Sequence, residues 1–261
     1  MATATARYPG SINVLGEHSL VFANNGAGGH GIRLAVNKFL KVALSPCKSS
    51  YISVTSRLGE ETATRDKLSN PFVRTALAHY GIEAGLAINI DDDLPETVGL
   101  GSSAALSTAL AQALSRYRDN LDLGNDQLFV TARTIMRQAQ GNAGSGIDVA
   151  GSVYTGCVAL NAADGDVEPL PAPPAISMLY SGSKMPTPAV LAKVEAQHKP
   201  QHFFDAMESL TKQGIEHARN NDWQSFGKIM YSFQDYMVEL DLNTPELDQL
   251  QRTLAAASGV Y

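Results

Sequence analysis

Cysteine is scarce in this sequence, and long apolar runs are absent. The 261 residues include two cysteines, Cys47 and Cys157, which lie far apart, so there is neither a disulfide framework nor the spacing of a metal site. This cysteine usage fits a reducing cytoplasm. No stretch approaches the roughly 18 apolar residues of a membrane span, and no basic segment followed by an apolar run opens the chain. We therefore expect a cytoplasmic protein that makes no membrane contacts.

Positive charge is also in short supply. Lys and Arg number 20 against 26 Asp and Glu, which gives a formal net charge of −6. No basic run is present to neutralise a phosphate backbone, so broad nucleic-acid binding is excluded. An anionic ligand would need local positive potential instead. With 44% hydrophobic residues, the chain can bury a sizeable core in one large domain or two moderate ones.

The order of apolar patterns predicts strands first and helices later. Short runs rich in Val, Ile and Leu predict strands in RYPGSINVLGEHSLVF, GIRLAVNKFLKVALSP, SYISVTSR and GLAINIDDDLP. Helical spacing appears in NPFVRTALAHYG, SAALSTALAQALSRYRDN and NDQLFVTARTIMRQAQG, and a β-like run follows in GIDVAGSVYTGCVALN. The Pro-rich VEPLPAPPAISMLYSG predicts a connector into another strand, and four amphipathic helices follow it. We therefore expect an N-terminal domain over residues 1–170 and a C-terminal domain over 171–261.

Four small residues, Gly99, Gly101, Ser102 and Ser103, stand before the helix in DLPETVGLGSSAALSTALAQAL. One interpretation is packing, because small residues let a helix begin close to a strand and Ser is a common N-cap. The other is a phosphate cradle, because a helix N-terminus presents unpaired N–H groups and glycine lets an anion approach. No Lys follows the second glycine, so this is not a Walker loop.

Several stretches together resemble the GHMP superfamily of small-molecule kinases, and within it the mevalonate kinases. PGSINVLGEHSLVF resembles the first family motif, DLPETVGLGSSAALSTALAQAL the phosphate loop with its helix, and GNAGSGIDVAGSVYTG the segment with the catalytic aspartate. SGSKMPTPAVLAKV resembles the strand, turn and helix that open the second domain. The resemblance implies an α+β, two-domain GHMP kinase fold. Its N-terminal domain is of the ribosomal-protein type with a left-handed β-α-β crossover, and its C-terminal domain is ferredoxin-like.

The same resemblance implies roles for individual residues. Asp148 would orient or accept the proton of the acceptor hydroxyl, and Lys184 would act on phosphate or substrate. The substrate would contact Asn13, Glu17 and His18. ATP would be held by backbone N–H groups, and the Ser103 hydroxyl would reach Mg²⁺. The residues of this cradle are Gly99, Leu100, Gly101, Ser102, Ser103 and Ala104.

Each role has a structural alternative. Asp148 could cap a turn or helix, His18 could be a satisfied core histidine, and Lys184 could be a solvated loop lysine.

Three features depart from the family pattern. The position after Pro9-Gly10 holds a Lys in typical mevalonate kinases and an Arg in galactokinases, whereas here it is the uncharged Ser11. Ser11 is therefore a third candidate catalytic residue. Met136 falls where the family carries a metal-binding Glu, with Arg137 beside it. The family's late glycine-rich motif would follow the helix that ends near Tyr261, so the resemblance implies a truncated C-terminal domain.

The expected function is phosphorylation of a small alcohol by ATP, with mevalonate converted to 5-phosphomevalonate in isoprenoid precursor synthesis. GEHSLVF matches the mevalonate kinase form of the first motif better than the galactokinase form. Two alternatives stay open: another GHMP kinase that acts on phosphomevalonate or a sugar, and a catalytically silent relative that binds a nucleotide or metabolite. The expected partner is a small molecule, and a homodimer is left open.

Overall fold

A computed structural model describes residues 3–26, 28–94, 98–142, 148–182, 185 and 187–255 of the chain. It has an α+β fold, as the sequence predicts. The strands are β1 (Ala4–Leu15), β2 (His30–Pro46), β3 (Ile52–Ser56), β4 (Gly59–Ala63), β5 (Leu86–Asp92), β6 (Cys157–Asn161) and β7 (Val167–Leu170). The helices are α1 (Ser19–Phe22), α2 (Pro71–His79), α3 (Ser102–Asp119), α4 (Asn125–Ala139), α5 (Asp148–Tyr154), α6 (Thr187–Glu195), α7 (Gln201–Arg219), α8 (Trp223–Glu239) and α9 (Pro245–Ala255).

The chain divides into two compact units that interleave along the sequence. Unit 1 comprises Met1–Ile12 and Leu34–Thr155, and unit 2 comprises Asn13–Arg33 and Gly156–Tyr261. Strands β1 and β2 therefore contribute residues to both units. Because the units interleave, they do not test the predicted domain boundary at residue 170, which stays a prediction.

Unit 1 builds a sheet in the strand order β4-β3-β5-β2, with β1 paired to β2. β5 is antiparallel to β2, with Ile90 opposite Val42, and parallel to β3, with Ile88 opposite Val54. Alternate residues of β5 are buried, because successive strand side chains point to opposite faces. The parallel β3–β5 pair is joined through β4 and α2, and the handedness of this connection stays a prediction.

Helix α3 lies at the centre of the helical part of unit 1. Every residue from Ala104 to Ser115 is buried, and α3 contacts α2, α4 and α5. Five of these residues are alanines, whose small side chains let neighbouring helices approach closely. The buried α3 therefore fixes the position of the glycine-rich turn from which it begins.

Unit 2 combines the β6–β7 hairpin with α1 and helices α6 to α9. In the hairpin Leu160 lies opposite Val167. Helix α7 contacts α1 and α8. Gly214 lets α7 lie close to Leu15 at the end of β1, because a Cβ on residue 214 would lie 2.4 Å from Leu15 Cδ1. In the described part of the chain, no helix is both long and apolar enough to span a membrane.

Four local predictions from the sequence differ from the structure. Ser19–Phe22, expected within a strand, forms the short helix α1. The start of the expected β-like run, Asp148–Tyr154, is the helix α5. The described residues of 171–182 contain no strand, so the strand expected after the Pro-rich connector is wrong. Strand β4 was not predicted, because its sequence, GEETA, contains two glutamates, which are uncommon in strands.

Candidate active site

The glycine-rich turn enters α3 through two residues in the left-handed region. Gly99 has a φ of 82° and Gly101, the N-cap of α3, has a φ of 68°. The N-cap residue is a glycine and so has no side chain to cap the helix, and the first turn holds no acidic residue. The first N–H groups of a helix lack intrahelical partners and carry the positive end of the helix dipole. The start of α3 can therefore receive an anion.

The end of β1 holds this turn in place. The Ser11 N–H donates to the Leu100 carbonyl oxygen over 2.9 Å. A Cβ at Gly10 would lie 2.3 Å from the Leu100 oxygen, and a Cβ at Gly101 would lie 3.0 Å from the Ser11 oxygen. Both glycines are therefore needed for the close approach of the two backbones, whatever ligand the turn binds.

Asp148 is joined to the same strand end. It is the first residue of α5 and is half-buried, rather than lying on a turn before a strand. The Ser11 hydroxyl is buried and donates to the Asp148 backbone oxygen over 3.3 Å. Unit 1 thus brings together three regions that the sequence separates: the strand end at Ser11, the turn at Leu100 and Gly101, and Asp148. Among the other cradle residues, Ala104 is buried, so its backbone alone could face a ligand.

A cavity of about 580 Å³ lies beside the cradle within unit 1. Ser102 and Ser103 form part of its wall, and Arg57 pairs with Asp92 over 3.1 Å at another part. No local sequence pattern predicts this cavity, because its lining comes from β2, β3, β4, β5, α2 and α3. Its apolar lining includes Leu40, Val54, Leu58, Phe72, Ile90 and Leu106.

The three residues expected to contact substrate lie together in unit 2. Glu17 is exposed, whereas His18 is buried and adopts a left-handed φ of 67°. Burial lowers the pKa of His18 to about 4, and its Nε2 has no hydrogen-bond partner among the described residues. When the Asn13 amide is oriented so that both its nitrogen and its oxygen form hydrogen bonds, the nitrogen donates to the Leu15 and Ile32 carbonyls and the oxygen accepts from the Glu17 N–H. The Asn13 side chain is thus used to hold the backbone that presents Glu17.

Two further expectations concern charge and metal. Lys184 lies outside the described residues. Met136, at the position of the family's metal-binding Glu, is buried, and no group of three or more His, Cys, Asp or Glu in the described ranges could hold a metal.

Comparisons with known proteins show what this chain is similar to. Residues 68–156 match the family model for the GHMP kinases N-terminal domain. The mevalonate kinase of Archaeoglobus fulgidus is 28% identical over 96% of this chain and 83% of that protein. The mevalonate kinase of Methanothermobacter thermautotrophicus is 27% identical over 95% of this chain and 81% of that protein.

Solved structures show the same fold. Streptococcus pneumoniae phosphomevalonate kinase, in complex with phosphomevalonate and AMPPNP, gives a TM-score of 0.78 at 14% identity, covering 96% of this chain and 85% of that chain. At this identity the likeness shows the fold alone. The matched model and these relatives lead to one conclusion: residues 68–156 form a GHMP kinases N-terminal domain, and the chain is similar to the mevalonate kinases over nearly its whole length.

Proposed function

We propose that the protein transfers the γ-phosphoryl group of ATP to the primary hydroxyl of mevalonate. Two mevalonate kinases are its relatives over at least 95% of the chain, which supports this acceptor. The single structural observation that carries the proposal is the tie at Ser11, which joins the phosphate turn at Leu100 to Asp148. Phosphoryl transfer depends mainly on holding the donor phosphate and aiming the acceptor hydroxyl. Ser11 contacts the turn proposed for the first task and the aspartate proposed for the second.

The cradle would bind the ATP phosphates. Backbone N–H groups at the start of α3 would donate to phosphate oxygens, and Gly101, which adopts the αL conformation, has no side chain to block them. The nucleoside would occupy the neighbouring cavity, where apolar side chains such as Leu40 and Phe72 could cover the base. Ser102 and Ser103 stand between the two regions, because they belong to both the cradle and the cavity wall.

A Mg²⁺ ion would enter with ATP. Mg²⁺ commonly keeps several waters and binds substrate phosphates with few protein ligands, so the small donor set here fits it. Ser103, at the second position of α3, would supply its hydroxyl. When bound, the ion neutralises charge on the phosphate oxygens, and the remaining tasks belong to the residues of the chain.

Asp148 would receive the proton of the acceptor hydroxyl as that oxygen attacks the γ-phosphorus. A general base must lie within hydrogen-bond reach of the proton it takes, and half-buried Asp148, at the start of α5, is our candidate for this role. Ser11 would act by position, because its amide and hydroxyl both bond to backbone oxygens of the site. Lys184 remains our candidate for the positive charge that Ser11 lacks.

His18 would contact the substrate as a neutral ring. With a pKa lowered to about 4 by burial, it carries no charge near pH 7. Its Nε2, which has no hydrogen-bond partner among the residues that the structure describes, could therefore exchange a hydrogen bond with a hydroxyl or carboxylate of the acceptor. Glu17, exposed beside it, would contact a second polar group.

The proposal is tested by measuring ADP release with mevalonate, phosphomevalonate, galactose and homoserine as separate acceptors. We expect mevalonate to give the highest kcat/KM and a monoester at its primary hydroxyl, identified by mass and phosphorus NMR. Turnover only with another acceptor would replace mevalonate as the substrate. Tight ATP binding without turnover on any acceptor would support the silent relative instead.

A further inference from the structure

Glu208 is a buried carboxylate in unit 2 that the proposed chemistry leaves without a role. It lies on the buried face of α7 and is 3% exposed. A charge is retained at such a position only when other groups compensate for its lost hydration. The contacts of Glu208 therefore indicate why the chain keeps it there.

Most of these contacts go to the entrance of β2. The Glu208 Oε2 atom accepts the His30 backbone N–H over 2.7 Å, and Oε1 lies 2.6 Å from His30 Nδ1. Lys212, one turn further along α7, places its Nζ 3.2 Å from Oε1. The carboxylate is thus fixed between α7 and the backbone of His30.

Gly29 adapts the chain to this carboxylate. A Cβ at Gly29 would lie 2.3 Å from Glu208 Oε2 and 2.8 Å from the Ser19 carbonyl oxygen. The glycine is therefore enclosed between Glu208 on one side and α1 on the other. Any movement of the carboxylate would be transmitted through Gly29 to the start of α1.

Helix α7 holds the same segment at three further points. Gln201 Nε2 donates to the Phe22 carbonyl over 3.0 Å, and the rings of Phe22 and Phe204 lie 5.0 Å apart. The Asp205 Oδ1 atom accepts the Asn24 N–H over 3.0 Å. With Glu208, these residues occupy one face of α7, because positions three and four apart lie together on a helix.

The held segment is continuous with the substrate motif. α1 begins at Ser19, directly after Glu17 and His18, and the N–H groups of Val21 and Phe22 donate to the His18 carbonyl over 2.9 Å. We propose that Glu208 is a positioning residue, which fixes α1 through Gly29 and His30 and thereby sets the place of Glu17 and His18. The statement that Glu17 and His18 contact the acceptor rests on the proposed function. The positioning part, that Glu208 fixes α1 and the two residues before it, does not.

The positioning part is tested by amide hydrogen exchange on wild-type protein and two variants. Glu208→Gln keeps the size of the side chain but replaces one acceptor oxygen with a donor, so it cannot keep all three contacts. Glu216→Gln alters an exposed glutamate on the same helix and is the matched control. We expect exchange in residues 19–30 to be about 10-fold faster in Glu208→Gln, with α3 and the Glu216→Gln variant unchanged. Unchanged exchange, or equal acceleration throughout the protein, would overturn the proposal.

Kinetics separate positioning from a general loss of stability. In Glu208→Gln we expect the KM for mevalonate to rise about 10-fold through misplacement of the contacting groups, with the KM for ATP unchanged. A fall in kcat with both KM values unchanged would contradict the proposal. If the wild type does not phosphorylate mevalonate, the proposed function fails and exchange alone decides the role of Glu208.

A folding defect in Glu208→Gln would not prevent the test. His30→Ala removes the ring contact but leaves the backbone N–H that Oε2 accepts, so it is the milder change. We expect the same pattern at smaller amplitude: faster exchange in residues 19–30 and a higher KM for mevalonate alone. An unaltered 19–30 segment in His30→Ala would overturn the proposal in that case.

Discussion

Ser11 shows how a single small residue can join separate parts of a candidate site. Its side chain is fully buried, and its amide and hydroxyl bond to the Leu100 and Asp148 backbone oxygens. Ser11 thus joins the end of β1 to the turn before α3 and to the start of α5. Because its side chain is uncharged, any cation that assists the proposed phosphoryl transfer would have to come from another residue.

The first prediction concerns Asp148. We expect Asp148→Asn to lower kcat by about 10²- to 10⁴-fold, because the amide cannot take the hydroxyl proton. ATP affinity should be unchanged, since the backbone contact with Ser11 does not depend on the carboxylate. Turnover and ATP binding by calorimetry are the two measurements.

Asp235→Asn, at an exposed position of α8, is the control for the loss of one negative charge. An Asp148→Asn variant with turnover within a few-fold of wild type would remove Asp148 from the role of base. Equal losses in ATP affinity and turnover would instead place the carboxylate at the nucleotide.

At the scale of elements, the decisive feature is the junction between β1 and the turn before α3. The turn depends on glycine twice: Gly101 needs a left-handed φ, and the space beside it is filled by the Ser11 backbone. A side chain at this position would therefore be strained and would also separate the turn from the strand. The consequence for a phosphate ligand is a displaced set of N–H donors.

We predict that Gly101→Val weakens ATP binding by more than 10-fold, an order of magnitude that corresponds to about 1.4 kcal/mol. Gly124→Ala is the control, because Gly124 precedes α4 with a φ of −66° and an added Cβ there would have no atom within 4 Å. Fluorescence or calorimetric titration with ATP gives the affinities, and circular dichroism verifies that both variants are folded. A folded Gly101→Val protein with wild-type ATP affinity would exclude the cradle.

Local sequence carried enough information for the turn but not for its partners. The Gly99 to Ser103 run and the alanine-rich helix after it are adjacent in the chain, so glycine and helix signals together predicted them. The bond from Ser11 to Asp148 spans 137 positions, and no local pattern encodes such a pairing. Glu208 was missed for the same reason, because its partner His30 is 178 positions away.

Errors in the predicted strands have a similar origin. Residues 175–180 are apolar enough for a strand, yet Ile176, Leu179 and Tyr180 are exposed and pair with no strand in the described part of the chain. In β4 the register opposite β3 outweighs the low strand preference of its two glutamates. Tertiary pairing, which short windows do not contain, decided both cases.

At the scale of the whole molecule, the net charge of the protein and the charge of the proposed ligand, ATP, are both negative. In the proposed function, a chain with a formal charge of −6 would hold ATP through local donors, namely the backbone N–H groups at the N-terminus of α3. Attraction over long distances is therefore weak, so ATP association should respond little to salt.

Stability of the whole molecule should depend on pH through His18. Burial lowers its pKa from 6.5 to about 4, so between these values the unfolded chain binds a proton that the folded protein does not. The free energy of unfolding then falls as the pH is lowered through this window, by up to about 3 kcal/mol from this residue. Urea unfolding at several pH values between 4 and 7 measures the slope.

His18→Asn should reduce that slope, and asparagine tolerates the left-handed φ at this position. His79→Asn, at an exposed position of α2, should keep the slope of the wild type. An identical slope in His18→Asn and wild type would show that His18 titrates normally in the folded protein.

The contact between His30 and Glu208 also has a consequence for synthesis on the ribosome. Translation proceeds at about 5–20 residues per second, so His30 is made roughly 10 to 35 s before its partner in α7. Throughout that interval the Glu208 carboxylate, which later accepts a hydrogen bond from the His30 N–H at the entrance to β2, has not been synthesised. Nascent chains halted before residue 208 should therefore leave the first 30 residues open to proteases and to chaperones, although the motif that they carry is already complete.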